Sequence, residues 1–232
     1  MGTWRPSGLH IRPESRCFPV EGEATTASLV EPLSCVLHSL SRARLAPGEW
    51  VAVFGLGVMG ALHVLAATAF GLPVAWISLA GSPVPTRRLA SAEIELWNVP
   101  AADVPPPALK RERVSPRAAF CIRGGADAFS VACSIVRPGG MIVNFASPVA
   151  KSVLAVEMAK MRATEVSICA SVNHTLADFA KAAALSGKIS GKLKNLIAEL
   201  YPLASIELAM QRAVGTDSGR IIVQPSNMEE TE

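Results

Sequence analysis

Apolar residues along this chain gather into short runs of strand length, separated by helical or turn-rich stretches. The clearest unit spans 51–81. Val51-Ala52-Val53-Phe54 is an apolar run, followed by Gly55-Leu56-Gly57-Val58-Met59-Gly60. An apolar segment over 61–70 stops at Gly71, and a second β-like run, Val74–Leu79, completes the unit. The pattern predicts strand, glycine turn, helix, strand. No Asp, Glu, Lys or Arg occurs in the whole of it. A membrane span is the competing reading of such a stretch. Gly71-Leu72-Pro73 breaks it where a helix would turn into a strand, and a strand buried on both faces is expected to be apolar throughout.

The same reading extends outward. Leu29, Leu33, Val36, Leu37 and Leu40 share one face of a helix predicted over 24–41. Pro32 either bends that helix or marks the first turn of its second part. Residues 9–12 and 17–20 are weak strand candidates. After Leu79 the pattern predicts a loop over 80–86, a short helix over 87–92 and a third strand at Ile94–Val99. Residues 100–117 are rich in Pro and charge and cannot hold a full helix. Further strands are predicted at 118–122, 141–145 and 165–170, with helices at 127–136 and 153–161. Thr175 caps a helix running to about Ser186, and Asp178 stands three residues on, as in a capping box. The tail holds an apolar run over 193–200, a helix entered through Pro202 and a last strand at 220–223. Strands alternating with crossovers make an α/β fold. We expect a Rossmann-type, doubly wound, parallel six-stranded sheet in the order 3-2-1-4-5-6.

The glycine motif brings chemistry into this frame. G-x-G-x-x-G between a strand and a helix is a dinucleotide-binding pattern. Gly55 permits the tight turn, Gly57 lets backbone approach a pyrophosphate, and Gly60 lets helix pack on strand. The helix opening at Val58 and Met59 points free N–H groups at the phosphates. An NAD site carries Asp or Glu at the end of its second strand to hold the ribose hydroxyls. Here Leu79-Ala80-Gly81-Ser82 stands there, with Arg87 and Arg88 following. Lack of the acid removes repulsion toward a 2′-phosphate, and a guanidinium pairs well with one. Ser82, Arg87 and Arg88 therefore join the candidate cofactor residues, and NADP is favoured over NAD; the alternative is two solvent-facing arginines opening a helix.

The chain has 232 residues, half of them hydrophobic, and a formal net charge of +3. Lys and Arg are scattered, which argues against a nucleic-acid partner. The first residues have no apolar signal region and fail the myristoylation pattern at Pro6. The five cysteines are odd in number and far apart, with no C-x-x-C. Reduced thiols in a cytoplasmic protein, without membrane attachment, are the expectation. A homo-oligomer is left open.

Several motifs in order carry a family resemblance. Leu29-Val30-Glu31-Pro32-Leu33-Ser34, then GLGVMG, then Arg137-Pro138-Gly139-Gly140, then the segment 171–179 before Ser186-Gly187-Lys188-Ile189, resemble the zinc-dependent medium-chain alcohol dehydrogenases of the sorbitol and threonine dehydrogenase type. The resemblance implies a Rossmann cofactor domain over 31–190. Residues 1–30 would be a remnant of an N-terminal catalytic domain, and 191–232 a return to it. It implies hydride transfer between a secondary alcohol (a polyol or amino alcohol) and NAD(P), with zinc polarising the alcohol oxygen. It also implies, for Glu31 alone, a place at that zinc. The family's zinc-binding Cys, its Gly-His-Glu segment and its four-cysteine lobe have no counterpart in these residues. A truncated, non-catalytic dinucleotide-binding module or partner subunit is the alternative function. The other reading of Glu31 is a first-turn carboxylate favoured by the helix dipole. Cys35 and His38 lie on the same helix. They are candidate ligands or, the preferred reading, a small buried side chain and a histidine satisfied against the sheet; His63 is read as a core residue, and His174 either approaches the nicotinamide side or is an ordinary loop histidine at the sheet's carboxyl edge. On this basis the isolated chain is expected to hold no stoichiometric catalytic zinc.

Overall fold

The computed structural model describes residues 17–79, 115–123, 125–146, 156, 158–214 and 219–225, together with the backbone of 94–99. Eight strands and eight helices lie in these residues. β1 (Val51–Phe54), β2 (Val74–Leu79), β3 (Ile94–Val99), β4 (Ala118–Cys121), β5 (Met141–Asn144) and β6 (Ser167–Ala170) form one sheet. Its order is β3-β2-β1-β4-β5-β6, and every pairing is parallel. The expected order is therefore observed. Val51 pairs with Val74 on one side and Ala118 on the other. The strand order reverses beside β1, and ligands bind at such switch points, outside the carboxyl ends of the strands.

Two apolar layers sandwich this sheet. Side chains of a strand alternate between faces, so Val51 and Val53 face one layer and Ala52 and Phe54 the other. The first layer holds α2 (Val30–Arg42), α3 (Val58–Ala69) and α6 (Leu176–Lys188). Leu29, Val30, Leu33, Val36, Leu37 and Leu40 are all buried there. The second layer holds α4 (Gly125–Ile135), whose Ala128, Phe129, Ala132 and Ile135 cover Phe54, Ile77 and Ile142. Helix α3 is buried from Gly60 to Ala67. That burial explains the charge-free stretch without a membrane. Among the described residues no helix is long and apolar enough to cross one.

Some elements depart from the pattern. The helix expected over 24–41 is two helices, α1 (Ala24–Ala27) and α2. Pro32 has no N–H to bond the carbonyl of Ser28, so the continuous ladder fails there and Pro32 sits in the first turn of α2. Residues 17–20 form no strand; Phe18 stacks instead on Phe179, with ring centroids 5.4 Å apart. Helix α6 passes through Gly187 to Lys188 rather than stopping at Ser186. A short α5 (Met158–Thr164) precedes β6. The run over 193–200 divides between α7 (Ser190–Lys194) and β7 (Ile197–Pro202). A 3-10 turn at Leu203–Ser205 then leads into α8 (Ile206–Val214), and β8 (Arg220–Gln224) pairs with β7 in a separate parallel sheet. The candidate strand at 9–12, the segments 80–93 and 100–114, and the start of the helix expected at 153–161 lie outside the described residues.

Candidate functional site

The turn from β1 into α3 sorts its three glycines by what the fold asks of each. Gly55 has φ of 113°, a left-handed backbone that side chains disfavour, and an added Cβ would lie 3.1 Å from Arg123 Cβ. At Gly60 an added Cβ would lie 1.9 Å from the Gly55 carbonyl oxygen. That oxygen also accepts a 2.9 Å hydrogen bond from Trp76 Nε1 on β2. Gly57 is different. Its φ of −74° suits any residue, and nothing lies within 4 Å of where its Cβ would be. The fold makes no use of glycine there. Gly57 is also the N-cap of α3 and offers no side-chain acceptor. The first amides of the helix, at Val58, Met59 and Gly60, lack a side-chain cap and follow the carboxyl end of β1. Ser82, Arg87 and Arg88 lie outside the described residues.

A second group of side chains meets at the carboxyl end of β6. Glu31 and Cys35 stand one helical turn apart on α2, and His174 comes from the loop between β6 and α6. Cys35 Sγ is 3.4 Å from Glu31 Oε1 and 3.5 Å from His174 Nδ1. His174 Nδ1 is 3.7 Å from Glu31 Oε1. Cys35 is half-buried rather than enclosed. Desolvation, with the Glu31 carboxylate as neighbour, pushes its thiol up to about 11. His38 is satisfied from α6, its Nδ1 lying 3.0 Å from Asp178 Oδ2. Asp178 in turn makes the expected capping box with Thr175. Burial raises the Asp178 carboxyl, but hydrogen bonds from Thr175 and His38 outweigh that and hold it below the ordinary carboxylate value.

His63 is a core residue, as its apolar surroundings predict. Its Nδ1–H donates to the Met59 carbonyl at 2.8 Å, and Nε2 lies 3.2 Å from Ser39 Oγ. Full burial lowers it to about 4, so it is neutral at pH 7. At the end of β6, Ser171 Oγ is buried with no hydrogen-bond partner among the described residues. Such an atom is a point a ligand or water would satisfy. The sequence reading found each member of the Glu31, Cys35 and His174 group but not their meeting. The available signal was the four-residue spacing of Glu31 and Cys35 on one helix face, together with a histidine just past a parallel strand.

Comparison with known proteins fits this geometry. No family model matches the chain. L-galactonate-5-dehydrogenase of Escherichia coli (strain K12) is 27% identical over 208 residues, covering 87% of this chain and 59% of that protein. D-xylulose reductase A of Aspergillus oryzae is 39% identical over 66 residues, which are 28% of this chain and 18% of that protein. The solved structure of S. aureus TarJ in complex with NADPH superposes with a TM-score of 0.70 at 16% identity, over 89% of this chain and 66% of that one. The chain thus resembles the zinc-binding medium-chain dehydrogenases of the sorbitol type, and it spans 59% of the length of L-galactonate-5-dehydrogenase.

Proposed function

We propose that this chain is the dinucleotide-binding part of an NAD(P)-dependent alcohol or polyol dehydrogenase. Gly57 carries the proposal. It is a glycine that neither backbone conformation nor packing requires, at the mouth of a switch point, beside uncapped helix amides. A pyrophosphate lying against the backbone is the reason for glycine at such a place. Gly55 and Gly60 shape the turn, while the amides of Val58, Met59 and Gly60 and the dipole of α3 favour the phosphate charge. The likeness to L-galactonate-5-dehydrogenase, and the shared fold of a structure solved in complex with NADPH, support the same reading.

In this activity a secondary alcohol loses a hydride from its carbinol carbon to the oxidised nicotinamide and its hydroxyl proton to a base or water, leaving a ketone. Residues 31–190 would bind the dinucleotide, with 1–30 and 191–232 belonging to a catalytic domain. Absence of an acid after β2, with Arg87 and Arg88 near, supports NADP over NAD. A cytoplasmic location accords with the cysteine usage. Zinc, in the resembled family, acts as a Lewis acid on the alcohol oxygen. Of the family's ligands only Glu31 has a matched position. The experiment is a fluorescence titration with NADPH and NADH, followed by an oxidation screen of polyols and amino alcohols. Saturable binding supports the proposal; no binding of either cofactor refutes it.

A further inference from the structure

The meeting of Glu31, Cys35 and His174 is more than proximity. These three ligand atoms lie within 4.8 Å of one another. Bonds of about 2.3 Å to sulfur and about 2.0–2.2 Å to nitrogen or oxygen, at tetrahedral angles, put ligand atoms roughly 3.4–3.6 Å apart. The observed edges are 3.4, 3.5 and 3.7 Å. The triangle therefore has the size of three corners of a zinc tetrahedron. Mixed sulfur, nitrogen and oxygen donors select a first-row divalent cation over magnesium or calcium.

The group is also held in place. Glu31 and Cys35 ride on a helix whose opposite face is buried leucine and valine. Asn173, with φ of 55°, turns the chain just before His174. Immediately after it, the capping box at Thr175 fixes the start of α6, and the His38–Asp178 contact ties that start to α2. The His174 ring rests 5.6 Å from that of Phe179. The Glu31 side chain is 63% exposed, which leaves the outer side of the triangle accessible.

We propose that Glu31, Cys35 and His174 form a zinc-type divalent-cation site with one position open to solvent or a small oxygen ligand. All three ligands lie within residues 31–190, and two of them, Cys35 and His174, have no matched role in the resembled family. It revises the expectation that the chain holds no zinc. The site stands apart from dinucleotide binding and is tested without it.

The metal-free 232-residue chain is titrated with Co²⁺ and then Zn²⁺, and followed by absorption and by metal analysis. Expected is one Co²⁺ per chain, with a thiolate-to-cobalt charge-transfer band and intense four-coordinate visible bands that Zn²⁺ abolishes. Cys35→Ser removes the charge-transfer band, and His174→Ala weakens binding by roughly tenfold or more. Circular dichroism on both variants confirms the fold; both side chains are partly exposed, and either variant alone suffices. Cys17→Ser, at an exposed thiol, leaves the spectrum unchanged. Absence of a thiolate band in the unaltered chain overturns the site. So does a band that survives Cys35→Ser and disappears with Cys17→Ser.

Discussion

Replacing Gly60 with alanine puts one methyl group where the β1–α3 turn has no room. An ideal Cβ there lies 1.9 Å from the Gly55 oxygen and 2.9 Å from its carbonyl carbon. Contacts between non-bonded heavy atoms are comfortable at about 3.5 Å, so α3 must retreat by roughly 1.5 Å, or the carbonyl must rotate. Rotation is opposed by the Trp76 Nε1–H, which donates to that oxygen at 2.9 Å. Leaving the indole N–H unpaired costs about 1–3 kcal/mol, and overpacking costs about 1–3 kcal/mol. Alanine's better helix propensity returns about 1 kcal/mol. The net loss is on the order of 1–5 kcal/mol. For a domain of this size each kcal/mol lowers Tm by roughly 2–4 °C, so the expected drop is about 2–20 °C. Thermal unfolding followed by circular dichroism, with a urea melt beside it, reads the change. Gly57→Ala is the control; in open space with φ of −74° it loses only the N-cap preference for glycine, about 1 kcal/mol. Equal melting of Gly60→Ala and the parent would refute the packing argument.

Three further outcomes follow from the same contacts. Asp178 has a folded pKa below its ordinary value, so its contribution to stability is present above that ordinary value and is lost as pH falls through the folded one. Asp178→Asn keeps an oxygen for Thr175 but loses the carboxylate favoured by His38 and by the helix dipole, so it should melt lower at neutral pH by about 0.3–1 kcal/mol. Its stability should also fall less steeply than the parent's below about pH 4; parallel acid limbs would count against the capping role. Converting both Arg87 and Arg88 to Ala should weaken NADPH binding and leave NADH binding alone, and an unchanged affinity ratio removes the case for a 2′-phosphate contact. Leu33→Ala, at a wholly buried position of α2, should cost about 2–5 kcal/mol in a denaturant melt; a loss under 1 kcal/mol would mean that α2 is not part of the core.

The sheet was legible because its signals are local and repeated. Val51–Phe54 and Val74–Leu79 are short apolar runs, and the glycine turn between them fixes their connection. Right-handed crossovers then leave few alternatives to the observed order. The capping box at Thr175 and Asp178 was legible for the same reason, as it spans only four residues. Its tertiary partner was not: His38 and Asp178 are 140 residues apart, and only the packing of α2 on α6 joins them. Cys35 and His174 are 139 residues apart and meet for the same cause. The break between α1 and α2 was half-visible, since Pro32 announces a disturbance but not whether the helix bends or restarts. Asn195 and the lysines around it gave no warning that the run over 193–200 changes from helix to strand. Periodicity cannot distinguish the two over so few residues.

The proposed dinucleotide site requires Gly57 to be glycine for a ligand and not for the fold. Calorimetric titration of the parent chain and of Gly57→Val with the same dinucleotide tests this directly, with thermal melts run on both. The branched side chain enters space that the protein leaves open and loses only the N-cap preference for glycine, so the variant should melt within about 4 °C of the parent. In the same experiment it should lose dinucleotide binding by roughly tenfold or more, since the pyrophosphate must approach that backbone closely. Equal affinities in two folded proteins would contradict the dinucleotide site.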